Sequence, residues 1–421
     1  MTGEATIEQR TSRKAPPAKD APLEPGALVS AATEPAQGGD PWIETPVDYD
    51  AIILASFGGP NGQEDVIPFL RNVTGGRGIP DERLEEVAVH YRHYGGVSPI
   101  NEQNLALKAA LEAELERRGI DLPVYWGNRN WEPYVHEALT EAHERGATKI
   151  LALATSAYSS YSSDRQYRED FADALEFTGL QGEVRIDKVR QFFDHPGFVE
   201  PFVEGLREAL DELQREDPTL DLGRDVEVLF TTHSIPTEDA NRSGPESRHF
   251  GEGGAYYAQH LAVSGVVADD VLAQLRERGD GLEQLNWRLV FQSRSGPPSQ
   301  PWLEPDINDV IETLPEQGRR AVVVVPVGFI SDHMEVLWDL DNEAKDSAAQ
   351  AGLAFRRTPT PGTHPAFVSG LVDLILERVH GTPKAERPAR TDIGPWYDVT
   401  RAGDCENVRL GFRPAIAGLQ P

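Results

Sequence analysis

Seven short apolar runs punctuate the chain, and several are apolar at every position. They are AIILASF (51–57), VYWGN (124–128), KILALAT (149–155), VRIDKV (184–189), VEVLFTT (226–232), LVFQSR (289–294) and AVVVVPVG (321–328). A strand with one solvated face alternates polar and apolar residues. One that is apolar throughout needs cover on both faces, as in a parallel sheet between helical layers. The intervening segments supply those layers, with helical periodicity near 64–72, 82–94, 99–118, 133–145, 165–178, 197–215, 254–278, 304–314, 334–350 and 365–379. This alternation predicts an α/β architecture with right-handed crossovers. The strands are too many for one sheet of this kind. Two doubly wound, Rossmann-like lobes with parallel sheets and a cleft between them are expected. Residues 47–190 would form the first lobe, completed by helix 365–380, and 191–364 the second. Residues 1–46, rich in Ala, Pro, Glu and Gly, read as a disordered tail, and 381–421 as a loop-like extension.

Composition narrows the function classes. Against 40 Lys and Arg stand 69 Asp and Glu, a formal net charge of −29 over 421 residues. That balance disfavours nucleic acid and anionic membranes, which are bound through clustered cations. No apolar run approaches the roughly 20 residues that span a bilayer. MTGEATIEQRTSRKAP has no apolar core, so no secretory signal is expected. The single cysteine, Cys405, can form neither an intramolecular disulfide nor a cysteine-rich metal cluster. A cytoplasmic protein is the expectation.

In open parallel sheets, ligands bind beyond the carboxyl ends of the strands. His233 stands at one such end, in TTHSIP, and Glu335 follows another, in GFISDHMEVLWDLDNEA (328–344). A histidine there either bonds a neighbouring carbonyl or serves as proton acceptor and metal ligand. Glu335 has two readings as well. Asp332-x-x-Glu335 fits a capping box, yet Asp339 and Glu343 continue an acidic stripe bordered by Val336, Leu340 and Ala344 on one side and Trp338 on the other. Packed acids repel one another unless protons or a cation sit among them. Ser98 precedes Pro99 at a helix start, either as a plain N-cap or where an anionic ligand group is received. Gly75, Gly76 and Arg77 form a loop without nucleotide-binding spacing, and GxGxxG, GxSxG and HExxH are absent.

Six pieces in order from about residue 48 to 380 resemble the ferrochelatase family, which inserts ferrous iron into porphyrins. They are SFGGP (56–60), GGVSPIN (95–101), SSYSSDRQYRE (159–169), TTHSIP (231–236), FQSR (291–294) with PWLEP (301–305), and GFISDHMEVLWDLDNEA. The resemblance implies a two-lobed chelatase fold with the macrocycle between the lobes. It makes His233 and Glu335 the catalytic pair on opposite walls, and Asp339 and Glu343 further metal-handling acids. Ser98 and Tyr167 match porphyrin-contacting positions, Arg77 lies toward the propionate side, and Phe57 stands where some relatives carry a metal-reaching Tyr. Ala157 likewise replaces a His of some members.

The local sequence is most similar to actinobacterial members. This implies coproporphyrin III and Fe²⁺ as substrates, Fe-coproporphyrin III (coprohaem) as product, and a later enzyme that decarboxylates it. Protoporphyrin IX, a cobalt chelatase of the same fold, and a non-catalytic porphyrin- or metal-binding protein are the alternatives. Many actinobacterial relatives hold a 2Fe–2S cluster through four cysteines. Here one of those places reads Asp164 and only Cys405 is left, so no such cluster and no other prosthetic group is expected.

Overall fold

The computed structural model describes residues 14–18, 31, 42–75, 79–279, 281–296, 299–401, 403–406 and 413–418. Two four-stranded parallel sheets form its frame, ordered β2-β1-β3-β4 and β6-β5-β7-β8. The first contains β1 (Ala51–Ser56), β2 (Val124–Asn128), β3 (Lys149–Ala154) and β4 (Arg185–Lys188). Helices α1 (Val66–Val73), α2 (Asp81–His93), α3 (Ile100–Arg117), α4 (Val135–Glu144) and α5 (Gln166–Thr178) accompany it. After α6 (Pro196–Glu216) come β5 (Val226–His233), α7 (Thr237–Asn241), α8 (Gly254–Glu277), β6 (Trp287–Gln292), α9 (Ile307–Thr313) and β7 (Ala321–Val325). The chain then forms α10 (Met334–Val336), a π-helix (Leu337–Ala344), α11 (Lys345–Gln350), β8 (Ala354–Arg357) and α12 (Pro365–His380).

The continuous apolar runs behave as expected of strands covered twice. Ile52 and Leu54 of β1 face a central core with α3, whereas Ala51, Ile53 and Ala55 face α4 and α5. In the second sheet Val323 and Val325 point into the same central core, and Val322 and Val324 into an outer one with α9 and the acidic helix. The inner faces of both sheets therefore share one core, filled by α3, α6, α8 and α12. Helix α12 packs on both α6 and α3. Among the described residues no helix is long and apolar enough to cross a membrane.

The structure departs from the sequence reading at three places. Strand β8, AFRR, is missing from the apolar runs because it is an edge strand, half-exposed and paired only to β7 through Ala321↔Ala354 and its neighbours. The helix expected over 334–350 is α at its ends and π-wound in between. Most of the tail 1–46 lies outside the described residues, but Lys14–Ala18 does not fit a disordered tail. It lies against α5, with Ala18 N donating to Asp173 Oδ1 at 2.7 Å and Lys14 Nζ 3.5 Å from Asp170 Oδ1. Among the described residues of the C-terminal extension the one helical element is a short turn (Lys384–Glu386), yet the segment is firmly held. Arg387 pairs with Asp398 at 2.7 Å, and Trp396 is 2 % exposed.

Candidate active site

Because β5 and β7 are neighbours in one sheet, the segments leaving their carboxyl ends emerge side by side. His233 is the last residue of β5. Its Nδ1 is bonded to the Ser234 carbonyl, which turns Nε2 outward. After β7 the chain doubles back tightly against β5: Gly328 N donates to Thr231 O at 3.1 Å, and a Cβ on Gly328 would lie 2.1 Å from Thr232 Oγ1. Only glycine fits that approach. The following helix thus starts directly over His233, and Glu335 Oε1 comes within 3.5 Å of His233 Nε2.

This geometry corrects two expectations. His233 and Glu335 do not stand on opposite walls; adjacent strands of one sheet place them together on one wall. Nor does Asp332-x-x-Glu335 form a capping box. The N-cap is His333, whose Nδ1 accepts from Glu335 N at 3.3 Å. Asp332 is drawn away by Arg357 Nη1 at 3.2 Å and by the Thr360 hydroxyl at 3.0 Å. Freed from capping, the Glu335 carboxylate turns to His233.

The pair is strongly polarised. Removal from water opposes the charged imidazole, but Glu335, the Ser234 carbonyl and Asp339 together raise His233 to about 9. For Glu335, burial works upward, yet His233 and then His333 bring its carboxyl down to about 2. Asp339 goes the other way: burial and the charges of Glu335 and Glu343 lift it to about 7, against the Ser293 hydrogen bond and His233.

The acidic stripe survives in an altered form. Glu335 belongs to α10, and Asp339 and Glu343 to the π-helix, where bonds run from i to i+5. Trp338 Nε1 accordingly reaches Glu343 Oε1 at 2.9 Å, five residues on. Asp339 receives hydrogen bonds from Ser293 Oγ and, at 3.3 Å, from Gln292 Nε2. Glu343 is exposed, so the stripe runs from the His233–Glu335 pair to the surface. Helix α2 of the first lobe closes over it. The His90 ring stacks on Trp338 with centroids 4.1 Å apart, and the Tyr94 hydroxyl accepts from Asn342 Nδ2 at 2.5 Å.

The matching positions of the first lobe are arranged differently. Phe57, directly after β1, is 37 % exposed. Beneath it lies the buried Arg129, its guanidinium carbon 6.0 Å from the Phe57 centroid and 3.9 Å from that of Tyr167. Tyr167 is itself buried, as is Ser98, which packs against Gly59. Ser98 makes no cap, since α3 starts at Ile100 with Pro99 as its N-cap. Asn101 instead pins the loop after β1, bonding Gly59 O at 2.7 Å and Asn61 Oδ1 at 2.9 Å. Arg77 falls outside the described residues.

The surroundings of Asp164 do not fit a cluster held by thiolates. Lys188 Nζ lies 3.2 Å from Asp164 Oδ1, Thr400 donates to Oδ2 at 3.0 Å, and Arg168 approaches at 3.7 Å. The Cys405 thiol donates to Asp404 Oδ1 at 3.0 Å. Burial, then Asp404 and Asp164, push its pKa well up, against the deprotonation a metal ligand needs. Two buried cations, Lys188 and Arg168, gather with Thr400 around Asp164 beside a protonated thiol, and this network ties the C-terminal extension to α5.

Gln292, Ser293, Arg129 and Arg357 escaped the sequence reading as individual residues. The first two stand in FQSR (291–294), a segment whose resemblance to the family assigns no role to either residue. The two arginines carry no local signal, because their partners lie far away in the chain.

Comparison with known proteins shows the family. The family model described as Ferrochelatase matches residues 49–379. A coproporphyrin III ferrochelatase of Leifsonia xyli subsp. xyli is 64 % identical over 395 residues, covering 93 % of this chain and 99 % of the relative. Another of that name, from Tropheryma whipplei (strain Twist), is 57 % identical over 373 residues, 89 % of this chain and 93 % of the relative. Among solved structures, SirB from Bacillus subtilis with Fe³⁺ aligns with a TM-score of 0.44 at 11 % identity, over 81 % of this chain and 100 % of that one. With the family match spanning both sheets and the paired His233 and Glu335, this chain belongs to the ferrochelatase family.

Proposed function

We propose that the protein inserts Fe²⁺ into coproporphyrin III, giving Fe-coproporphyrin III and two protons, with Fe²⁺ as substrate and no prosthetic group. The observation that carries the reaction is the His233–Glu335 pair, an imidazole and a carboxylate 3.5 Å apart beyond adjacent strands. Imidazole and carboxylate without thiolate suit a cation that must be handed on rather than kept. The choice of coproporphyrin III is supported by the names of the relatives at 64 % and 57 % identity.

Both groups act on the same ring face, since both rise from one wall. Two pyrrole N–H protons leave as one Fe²⁺ enters, so charge is conserved. His233 Nε2 is the acceptor for pyrrole protons and Glu335 the last carboxylate to hold the metal. While the pair is closed, His233 keeps its proton; a cation arriving at Glu335 weakens that hold and links metal arrival to proton acceptance. Asp339 and Glu343 extend the route outward, and Phe57 offers an apolar surface to the macrocycle. Ser98 and Tyr167 support that surface from below. The product keeps its propionates, so an enzyme that decarboxylates them acts next.

Anaerobic absorbance with Fe²⁺ and coproporphyrin III, beside protoporphyrin IX, tests the reading. Faster metallation of coproporphyrin III is expected. Preference for protoporphyrin IX would reassign the substrate. Cobalt insertion without iron insertion would reassign the metal, and binding without metallation would reject an enzyme.

A further inference from the structure

Ser293 is the first residue beyond β6, and its backbone is left-handed, with φ of 63°. A side chain other than glycine, asparagine or aspartate seldom adopts that conformation, and its cost is sustained only where the surroundings enforce it. The enforcing contacts are at the active site. Ser293 Oγ donates to Asp339 Oδ2. Gln292, one residue earlier, is the register partner of His233 across β5 and β6. Its Nε2 donates to Glu335 O at 3.2 Å and to Asp339 Oδ2 at 3.3 Å, while its Oε1 accepts from Thr231 at 3.1 Å. A strand end thus grips two successive acids of the stripe.

We infer that Ser293, assisted by Gln292, is a positioning residue that orients the Asp339 carboxylate for the divalent cation moving toward Glu335. Both hydrogen bonds converge on Oδ2, which leaves Oδ1 for the cation. They also offset the repulsion between Asp339 and Glu335, so the two carboxylates keep a fixed spacing without metal. The left-handed turn aims the hydroxyl: with φ negative, the chain leaving β6 would take another direction. This inference rests on the ferrochelatase reading and adds to it the group that sets how iron is received.

The test is a double-mutant cycle in steady-state metallation, with KM for Fe²⁺ and KM for coproporphyrin III measured separately. Ser293→Gly suits the backbone and deletes only the hydroxyl. Loss of a hydrogen bond to a charged group should raise KM for Fe²⁺ about tenfold and leave KM for the porphyrin nearly unchanged. In an Asp339→Asn background the same substitution should add nothing, because its effect passes through Asp339. Ser293→Asn, which tolerates the left-handed turn and carries an amide donor, should recover much of the loss. An unchanged KM for Fe²⁺ in Ser293→Gly, or an equal rise in the Asp339→Asn background, overturns the inference. A wild type that metallates neither porphyrin refutes the ferrochelatase reading and this inference with it, whereas an active wild type beside an unaffected Ser293→Gly overturns the inference alone.

Discussion

His233 Nε2 lies 3.5 Å from Glu335 Oε1, although 102 positions of chain separate the two residues. They meet because β5 and β7 are adjacent and Gly328 lets the chain leave β7 against Thr232. An imidazole and a carboxylate are thereby fixed to one wall, the arrangement that the proposed transfer of a cation and protons would use.

Replacing His233 with Ala should lower metallation by about 100-fold or more, the usual contribution of a positioned general base. The ring is 30 % exposed, so the variant should still fold. Near-normal insertion rates in the folded variant would remove His233 from the proton path.

The same pair makes stability depend on pH. The folded pKa of His233, about 9, exceeds its ordinary 6.5, so its contribution is complete below 6.5 and fades as pH rises through 9. Glu335, lowered from 4.5 to about 2, contributes fully above 4.5 and loses that contribution as pH falls through 2. The melting-temperature gap between wild type and His233→Ala should therefore be widest between 4.5 and 6.5 and narrower at pH 9.5. The neighbouring His333 and Asp339 are present in both proteins, but the His233 charge lowers both, so each titrates higher in the variant. A gap that widens with alkalinity would contradict the assignment.

Gly328→Ala should reduce activity more than its single methyl suggests. Its Cβ would press on Thr232, the residue before His233, at 2.1 Å from Oγ1 and 2.5 Å from Cβ. Overpacking of this kind costs about 1–3 kcal/mol and here displaces the segment that carries His233. Urea unfolding paired with metallation rates measures both effects; a fully active variant would mean the wall yields without moving His233.

Lys188→Met leaves Asp164 with less compensation in a buried site, where each side chain is under 6 % exposed. Breaking such a pair typically costs about 3–5 kcal/mol, and the remaining Arg168 and Thr400 place the expected loss near the lower figure. Cys405→Ser should change neither iron content nor visible absorbance of the purified protein. A thiolate-to-iron absorption band that disappears in Cys405→Ser would show that a cluster does assemble there.

Much of the frame was legible in the residues themselves. AIILASF and AVVVVPVG are apolar at both strand periods, and that pattern permits little but a strand covered on two sides, as β1 and β7 prove to be. His233, Glu335, Asp339 and Glu343 were legible as a set because each is a reactive group beside a strand end or at helical spacing. Strand β8 was not, since an edge strand needs a partner's backbone more than an apolar pattern. The N-cap role passed from Asp332 to His333 because Arg357 competes for Asp332, and that competitor lies 25 residues farther along.

The sequence alone determined which segments become doubly covered strands and which reactive side chains stand at strand ends, because both depend on local pattern and intrinsic reactivity. Only the tertiary structure decided that His233 and Glu335 share a wall, that the acidic helix is π-wound, and that Gln292 and Ser293 hold Asp339. Those outcomes follow from strand order and from contacts between distant segments, and the free energy of such contacts exists only once the sheet has assembled.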